Sequence, residues 1–364
     1  MKHYTLQPID DPTLVINETS DKNSKIKCLY PKLLTSITHK KNEIDYVQTK
    51  WDIAKKMSNL YEYIYTSSNV KRNVSSVIPV SRSFFKLREI IYDFKLNIQG
   101  PSACIAEAPG GFIQSILRHS SEFHLSEDSI YGITLISDDK EIPYWNPLIT
   151  NHPRVKLCVG HDNTGDLYKL TNVVSFIKFC GKHSCQLVTA DGGLDYTQDF
   201  EQELSSYRLF FSEIMIALHI QKKGGIFICK LFDIFHESTA QLIYLLTLSY
   251  DRVSFIKPST SRQSNSEKYI VCQNFKGYNQ QLTNLMIHHF QSDRLPIQLP
   301  DKFIHDLYVY QSRNIYYQSK AIESTLSIIK RNAMFEKPSQ QQVQKAKDWC
   351  KQYKIPVNRK CIYI

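Results

Sequence analysis

Seven short apolar runs, at 103–108, 130–136, 155–159, 185–190, 225–232, 252–256 and 268–272, punctuate the second and third quarters of the chain. Most are rich in β-branched residues and each has the length of a single strand. Helical segments stand among them: GFIQSILRH after the first, 201–222 before the fifth and 237–248 before the sixth. Strands that read as unbroken apolar runs are buried on both faces, and their alternation with helices calls for a doubly wound α/β sheet with mostly parallel strands. Outside this block the periodicity is helical. Apolar residues recur near helical period in 44–66, Phe84, Leu87, Ile91 and Phe94 fall on one side of 81–95, and 280–335 reads as helical and partly apolar. A last helix is started by Pro338-Ser339 and stopped by Pro356. The chain therefore divides into an N-terminal, partly helical extension (1–75), an α/β core (76–278) and a helical C-terminal extension (279–364).

In an open α/β sheet, ligands bind off the carboxyl ends of the strands, at the point where strand order reverses. The residues at those ends are consequently the informative ones. The first run closes with Glu107-Ala108-Pro109-Gly110-Gly111, a turn whose glycines let backbone approach a ligand. It is neither GxGxxG nor a GK[ST] loop, which counts against nicotinamide and P-loop chemistry. The fourth run ends in Asp191-Gly192-Gly193, and Lys230 emerges from the apolar GGIFICKLF. Glu267 stands at the mouth of the seventh run, preceded by KPSTSRQSNS, a lead-in of hydroxyls and amides better suited to a polar ligand than to a core. Lys86 lies in SRSFFKL, on an otherwise apolar helix. Taken singly, each charge reads as a rim or salt-bridge residue. Together they put two lysines and two carboxylates around one cleft. Two ammonium groups ~4 Å apart at an effective dielectric near 20 repel by about 4 kcal/mol. Unopposed, that repulsion carries a lysine well below its ordinary range, and the carboxylates oppose it. Such a lysine can accept or orient the proton of a weakly acidic hydroxyl.

Bulk properties agree with a polyanionic partner. Of 364 residues, 45 are Lys or Arg and 35 Asp or Glu, a formal net charge of +10. The 22 tyrosines and 18 phenylalanines add candidate base-stacking surfaces, though most aromatics simply fill cores. The nine cysteines form no CxxC pair, and several sit inside apolar runs. That pattern reads as reduced, buried thiols of an intracellular protein, not a disulfide frame or a zinc site. The N-terminus has no apolar leader and no run is long enough to span a membrane, so no membrane partner and no bound metal are expected. The Lys/Ile/Asn/Tyr-rich composition suits an AT-rich genome, such as that of a large cytoplasmic DNA virus or a protist.

In sequence order, SRSFFKL, TADGG, GGIFICK and SEKYIV carry Lys86, Asp191, Lys230 and Glu267. In this the chain resembles the FtsJ-like (RrmJ-type) ribose 2′-O-methyltransferases, whose signature is a Lys-Asp-Lys-Glu tetrad. APGGF, YGITL, GDL at 165–167, ADGG, GGIFICKLFD and KPSTSRQSNSEKYIVC bring it closest to the cap-specific mRNA (nucleoside-2′-O-)-methyltransferase branch. The resemblance covers residues 75–278 well and weakens beyond them. It implies a Rossmann-like, S-adenosylmethionine-dependent fold and methylation of the first transcribed nucleotide of capped mRNA. Ribosomal or transfer RNA is the alternative substrate, and a catalytically idle RNA-binding subunit the alternative role. By the same resemblance, S-adenosylmethionine lies over Ala108, Pro109, Gly110, Gly111 and Phe112, with Asp166 and Leu167 near the adenine and Asp191 at the methionine end. Lys230 takes up or steers the hydroxyl proton. RNA meets Arg82, Ser261 and Arg262 on the rim. The family's role implies partners in the capping or transcription machinery, and a home in the cytoplasm or a viral factory. Glu107 departs from the small residue that bacterial members often carry, and 137–165 matches nothing in the family pattern.

Overall fold

The computed structural model describes residues 3–8, 14–16, 25–193, 202–332 and 337–364. Its strands are β1 (His3–Thr5), β2 (Ser102–Ile105), β3 (Ile130–Ile133), β4 (Val155–Cys158), β5 (Cys185–Ala190), β6 (Gln221–Leu231), β7 (Tyr250–Ile256) and β8 (Lys268–Phe275). All seven expected strands are present. They form one sheet in the order β1-β7-β8-β6-β5-β2-β3-β4. β6, β5, β2, β3 and β4 are mutually parallel, whereas β8 runs antiparallel to both β6 and β7. The chain winds outward from β2 through β3 to β4, then returns to lay β5 on the other side of β2. Ile105 pairs with Ala190 there, so the reversal point brings the ends of β2 and β5 together.

Alternate residues of the strands feed opposite cores, as doubly wound strands must. Ala103 and Ile105 of β2 pack with the helices Leu170–Cys180, Gln202–Ile220 and Glu237–Ser249. Cys104 packs on the other face with the helices Ser83–Asp93 and Gly111–Glu122. A third cluster joins Ile64 and Val74 of the N-terminal extension to Phe84, Phe85, Trp349 and Tyr353. Both extensions therefore cover the outer side of the helix Ser83–Asp93. That explains why this helix is buried on more than the one side its periodicity suggests.

The extensions differ from expectation in their breaks. The helical stretch expected at 44–66 is instead two helices, Pro31–Asp45 and Gln48–Ser58, with Val47 off helical geometry between them. The second stops where Asn59 turns its side chain to Glu62, at 2.8 Å. The stretch 280–335 divides into Gln280–His288 and Asp301–Lys330, parted by a segment holding Pro296 and Pro300. β1, unforeseen, adds an antiparallel edge to β7. Ser339 caps the last helix with a full capping box alongside Gln342. All nine cysteines are free. Among the described residues no helix is long and apolar enough to cross a membrane.

Candidate active site

The four tetrad residues converge on the carboxyl ends of β5 and β6. Asp191 follows β5 directly, and Lys230 lies one residue before the end of β6, whose Cys229 pairs with Ala190. Lys230 is opposite Tyr269 in the β6–β8 register, which places Glu267, two residues earlier, on the same side. Lys86 reaches in from the helix Ser83–Asp93. Its Nζ donates to Glu267 Oε2 at 2.8 Å. Lys230 Nζ donates to the Asp191 carbonyl at 2.8 Å and lies 3.6 Å from its Oδ1. The two pairs are joined by Tyr269, whose hydroxyl donates to Asp191 Oδ1 at 2.7 Å while its ring lies 6.0 Å from Lys86 Nζ.

Electrostatics follow from this geometry. Burial alone would raise the Glu267 carboxyl, but the charges of Lys86 and Lys230 outweigh it and hold the group at about 2. Burial alone would lower Lys230, yet Asp191 and Glu267 hold its ammonium above the ordinary lysine range. The carboxylates thus more than cancel the repulsion between the lysines. Behind Asp191 sits Glu213, which burial pushes up to about 8. Its Oε2 accepts from Cys229 Sγ at 3.1 Å. Glu107 is likewise buried, and its carboxyl is driven far up by desolvation and then by Asp191. It is tied to its own turn, accepting from the Ile113 N–H at 3.1 Å.

The hydroxyl-rich lead-in is shaped by residues that give no sequence signal. Ser261 is 2% exposed, and its hydroxyl donates to Glu267 Oε1 at 2.7 Å, so it serves the tetrad before it could serve RNA. Glu89, one turn beyond Lys86, is fully buried. It accepts the Ser259 N–H at 2.6 Å, the Thr260 N–H at 3.3 Å and Trp349 Nε1 at 3.0 Å. One helix thus holds both Lys86 and the loop that delivers its carboxylate partner, Glu267. Arg262 grips Glu62 through two nitrogens at 2.7 and 3.1 Å. Arg82 lies 3.5 Å from the same carboxylate and donates to the Tyr65 carbonyl. Two guanidinium groups on one carboxylate leave a net positive charge at the rim.

The turn after β2 and the 160–167 loop form the other half of the cleft. Gly110 has φ +107° and opens the helix Gly111–Glu122. A Cβ on Gly111 would come within 2.1–2.2 Å of the Ser83 and Ser81 hydroxyls, so this glycine lets the two helices approach each other. Phe112 is buried against Tyr269, at 5.9 Å between ring centroids, and could offer a ligand only its backbone. Leu167 is buried also. Ala108, Pro109, Asp166 and Asp191 remain partly exposed. Asn172 organises the loop: its Nδ2 donates to Asp162 Oδ1 and the Asp166 carbonyl at 2.9 and 3.0 Å, and its Oδ1 accepts the His161 N–H at 2.7 Å. The small, partly exposed Ala108 and Pro109 beside the two acids Asp166 and Asp191 fit a cationic, hydroxyl-bearing cofactor such as S-adenosylmethionine.

The fold is an α/β sheet that carries two lysine–carboxylate pairs, Lys86–Glu267 and Lys230–Asp191, beside its reversal point. The chain belongs to the FtsJ-like methyltransferase family, whose model matches residues 79–275. It is 34% identical over 178 residues to "Cap-specific mRNA (nucleoside-2'-O-)-methyltransferase 1" of Leishmania braziliensis, covering 48% of this chain and 44% of that one. It is 32% identical over 207 residues to the protein of the same name from Trypanosoma brucei brucei, 54% of each. The Dictyostelium discoideum protein of that name is 29% identical over 273 residues, 68% of this chain and 35% of its own. The chain spans about half the length of these curated relatives, or less.

Proposed function

We propose that this protein is an S-adenosylmethionine-dependent RNA ribose 2′-O-methyltransferase acting on the first transcribed nucleotide of capped mRNA. The observation that carries the reaction is the meeting of Lys86–Glu267 and Lys230–Asp191 beside the glycine turn at the sheet's reversal point. Bound against that turn and Asp191, the cofactor supplies an electrophilic methyl on a positively charged sulfur. A ribose hydroxyl attacks such a methyl only when oriented toward it and relieved of its proton. Lys230, charged in the resting protein, orients the oxygen as a hydrogen-bond donor. It accepts the hydroxyl proton once its own has been lost, a loss eased by any positive charge added near Asp191. Glu267, held at about 2 against its burial by Lys86 and Lys230, is ionised near neutral pH, so it anchors Lys86 and does not act as an acid. Asp191, braced by Tyr269, fixes Lys230. Phosphates are the natural partners of the residual charge on Arg82 and Arg262.

The capped substrate is supported by the relatives, which are named cap-specific mRNA methyltransferases, and a partner in the capping or transcription machinery would follow from that substrate. The idle-subunit reading is disfavoured because all four tetrad residues are present and paired. To separate capped mRNA from ribosomal or transfer RNA, methyl transfer is measured on one short RNA with and without its cap. The capped form is expected to be methylated at least tenfold faster at limiting RNA. Equal rates would refute the cap substrate.

A further inference from the structure

Next to the tetrad lies a cavity of about 380 Å³ that the reaction above does not use. That volume falls within the ~300–1,000 Å³ of small-ligand sites. Three separated parts of the chain wall it: His3 of β1, Phe255 and Lys257 at the end of β7, and Tyr310, Arg313 and Tyr317 of the helix Asp301–Lys330. His3 and the three helix residues lie outside the span that matches the family. Lys257 is the wall shared with the active centre, because its Nζ donates to the backbone carbonyl of Glu267 at 2.6 Å.

The lining has the chemistry of a nucleotide site. Phe255 and Tyr310 stack with ring centroids 4.2 Å apart and planes within 14°, giving a flat apolar floor. Tyr317 is 52% exposed at the mouth, and the Arg313 guanidinium lies 5.7 Å from its ring centroid. Arg313 brings the cation: the Lys257 ammonium is taken up by the Asn265 and Glu267 carbonyls at 2.6 Å each and by Asn265 Oδ1 at 3.0 Å, and burial holds His3 below the ordinary histidine range. No Asp or Glu lines the space among the described residues. Asp306, on the same helix, is already engaged by the Tyr4 hydroxyl and by the Gln7 N–H at 2.7 Å. Single-stranded RNA is gripped by this combination of aromatic platforms for bases and cations for the backbone.

We propose that the cavity holds a nucleotide of the RNA strand adjoining the one whose ribose is methylated, its base against Tyr317 and its phosphate toward Arg313. The inference rests on the RNA methyltransferase reading. It adds a subsite built by the chain's two extensions and seated one backbone residue from the tetrad.

The test uses the full chain and RNAs lengthened one nucleotide at a time on either side of the methylated position, with kcat/KM measured for each. In the wild-type protein one added nucleotide should raise kcat/KM by about tenfold, mainly through KM, the size expected of a single base–aromatic stack. In Tyr317→Ala that step should shrink below about twofold. Tyr317 is half exposed, so the variant should fold. In Arg313→Gln the step should also shrink, and the dependence of log K on log salt should flatten by roughly 0.7 for the lost phosphate contact. A step that survives both substitutions, or a wild type indifferent to length, overturns the subsite while leaving the methyltransferase reading intact. Transfer to no RNA of any length overturns both.

Discussion

Replacing Lys230 by alanine should reduce methyl transfer to RNA by roughly 10²–10⁴-fold, the range of a positioned general acid or base. Cofactor affinity should hold, since the lysine faces the hydroxyl and not the glycine turn. The fold should hold as well. Asp191 loses its ion pair but keeps its hydrogen bond from Tyr269, and Lys86 keeps Glu267 paired. Lys230→Arg separates the two roles a lysine can play here. Arginine keeps the charge but cannot give up its proton at any accessible pH. If Lys230 accepts the hydroxyl proton, arginine should fail as fully as alanine. If it only steers the oxygen by charge, arginine should recover a substantial part of the rate. Alanine-variant activity within about tenfold of wild type would remove Lys230 from the chemistry.

Gly165→Val should be the most damaging substitution in the cofactor half of the cleft. Gly165 has φ +61°, and a Cβ there would lie 1.9 Å from the Thr134 carbonyl oxygen and 2.8 Å from its carbon. Both obstructing atoms are backbone at the end of β3, so no side chain can rotate away. A β-branched residue is also strained in left-handed backbone. The loop would have to rebuild, carrying Asp166 and Leu167 out of place. S-adenosylmethionine affinity should fall at least tenfold, about 1.4 kcal/mol or more. The melting temperature should drop by several degrees, given roughly 2–4 °C per kcal/mol in domains of ordinary size. Calorimetry and a thermal melt check both. Unchanged affinity in a folded Gly165→Val protein would place the cofactor elsewhere.

Elements written as contiguous patterns were the legible ones. Each strand from β2 to β8 is an apolar run; Asp191 and Lys230 stand at the carboxyl ends of two of them and Glu267 just before a third, whereas Lys86 lies on a helix and is tied to the others only by motif order. β1 is three half-buried residues with no period to detect, and it is a strand only because β7 offers an edge. Glu89 and Asn172 escaped notice for a related reason. Many of their partners are backbone groups of loops, for Glu89 up to 171 residues away, and a buried Glu or Asn looks the same in sequence whether or not it holds a loop. Asn172 did leave a trace, as a polar residue on the buried face of LTNVVSFIKFC. Tyr269 was hidden by its apolar neighbours, since its ring belongs to the core and only its hydroxyl reaches Asp191. Arg82 and Arg262 are adjacent in sequence to tetrad members. Their shared carboxylate, Glu62, comes from the N-terminal extension, and no local pattern announces it.

The central claim is that the cleft transfers a methyl group to the 2′-oxygen of one ribose. It is tested most directly with a capped RNA and its twin carrying 2′-deoxyribose at the first transcribed nucleotide alone, each incubated with radiolabelled S-adenosylmethionine. The ribo form should take up one methyl per chain, recovered after nuclease digestion as a 2′-O-methylated first nucleotide, and the deoxy form should take up none. Label in the deoxy RNA, or label on a base in the ribo RNA, would contradict it.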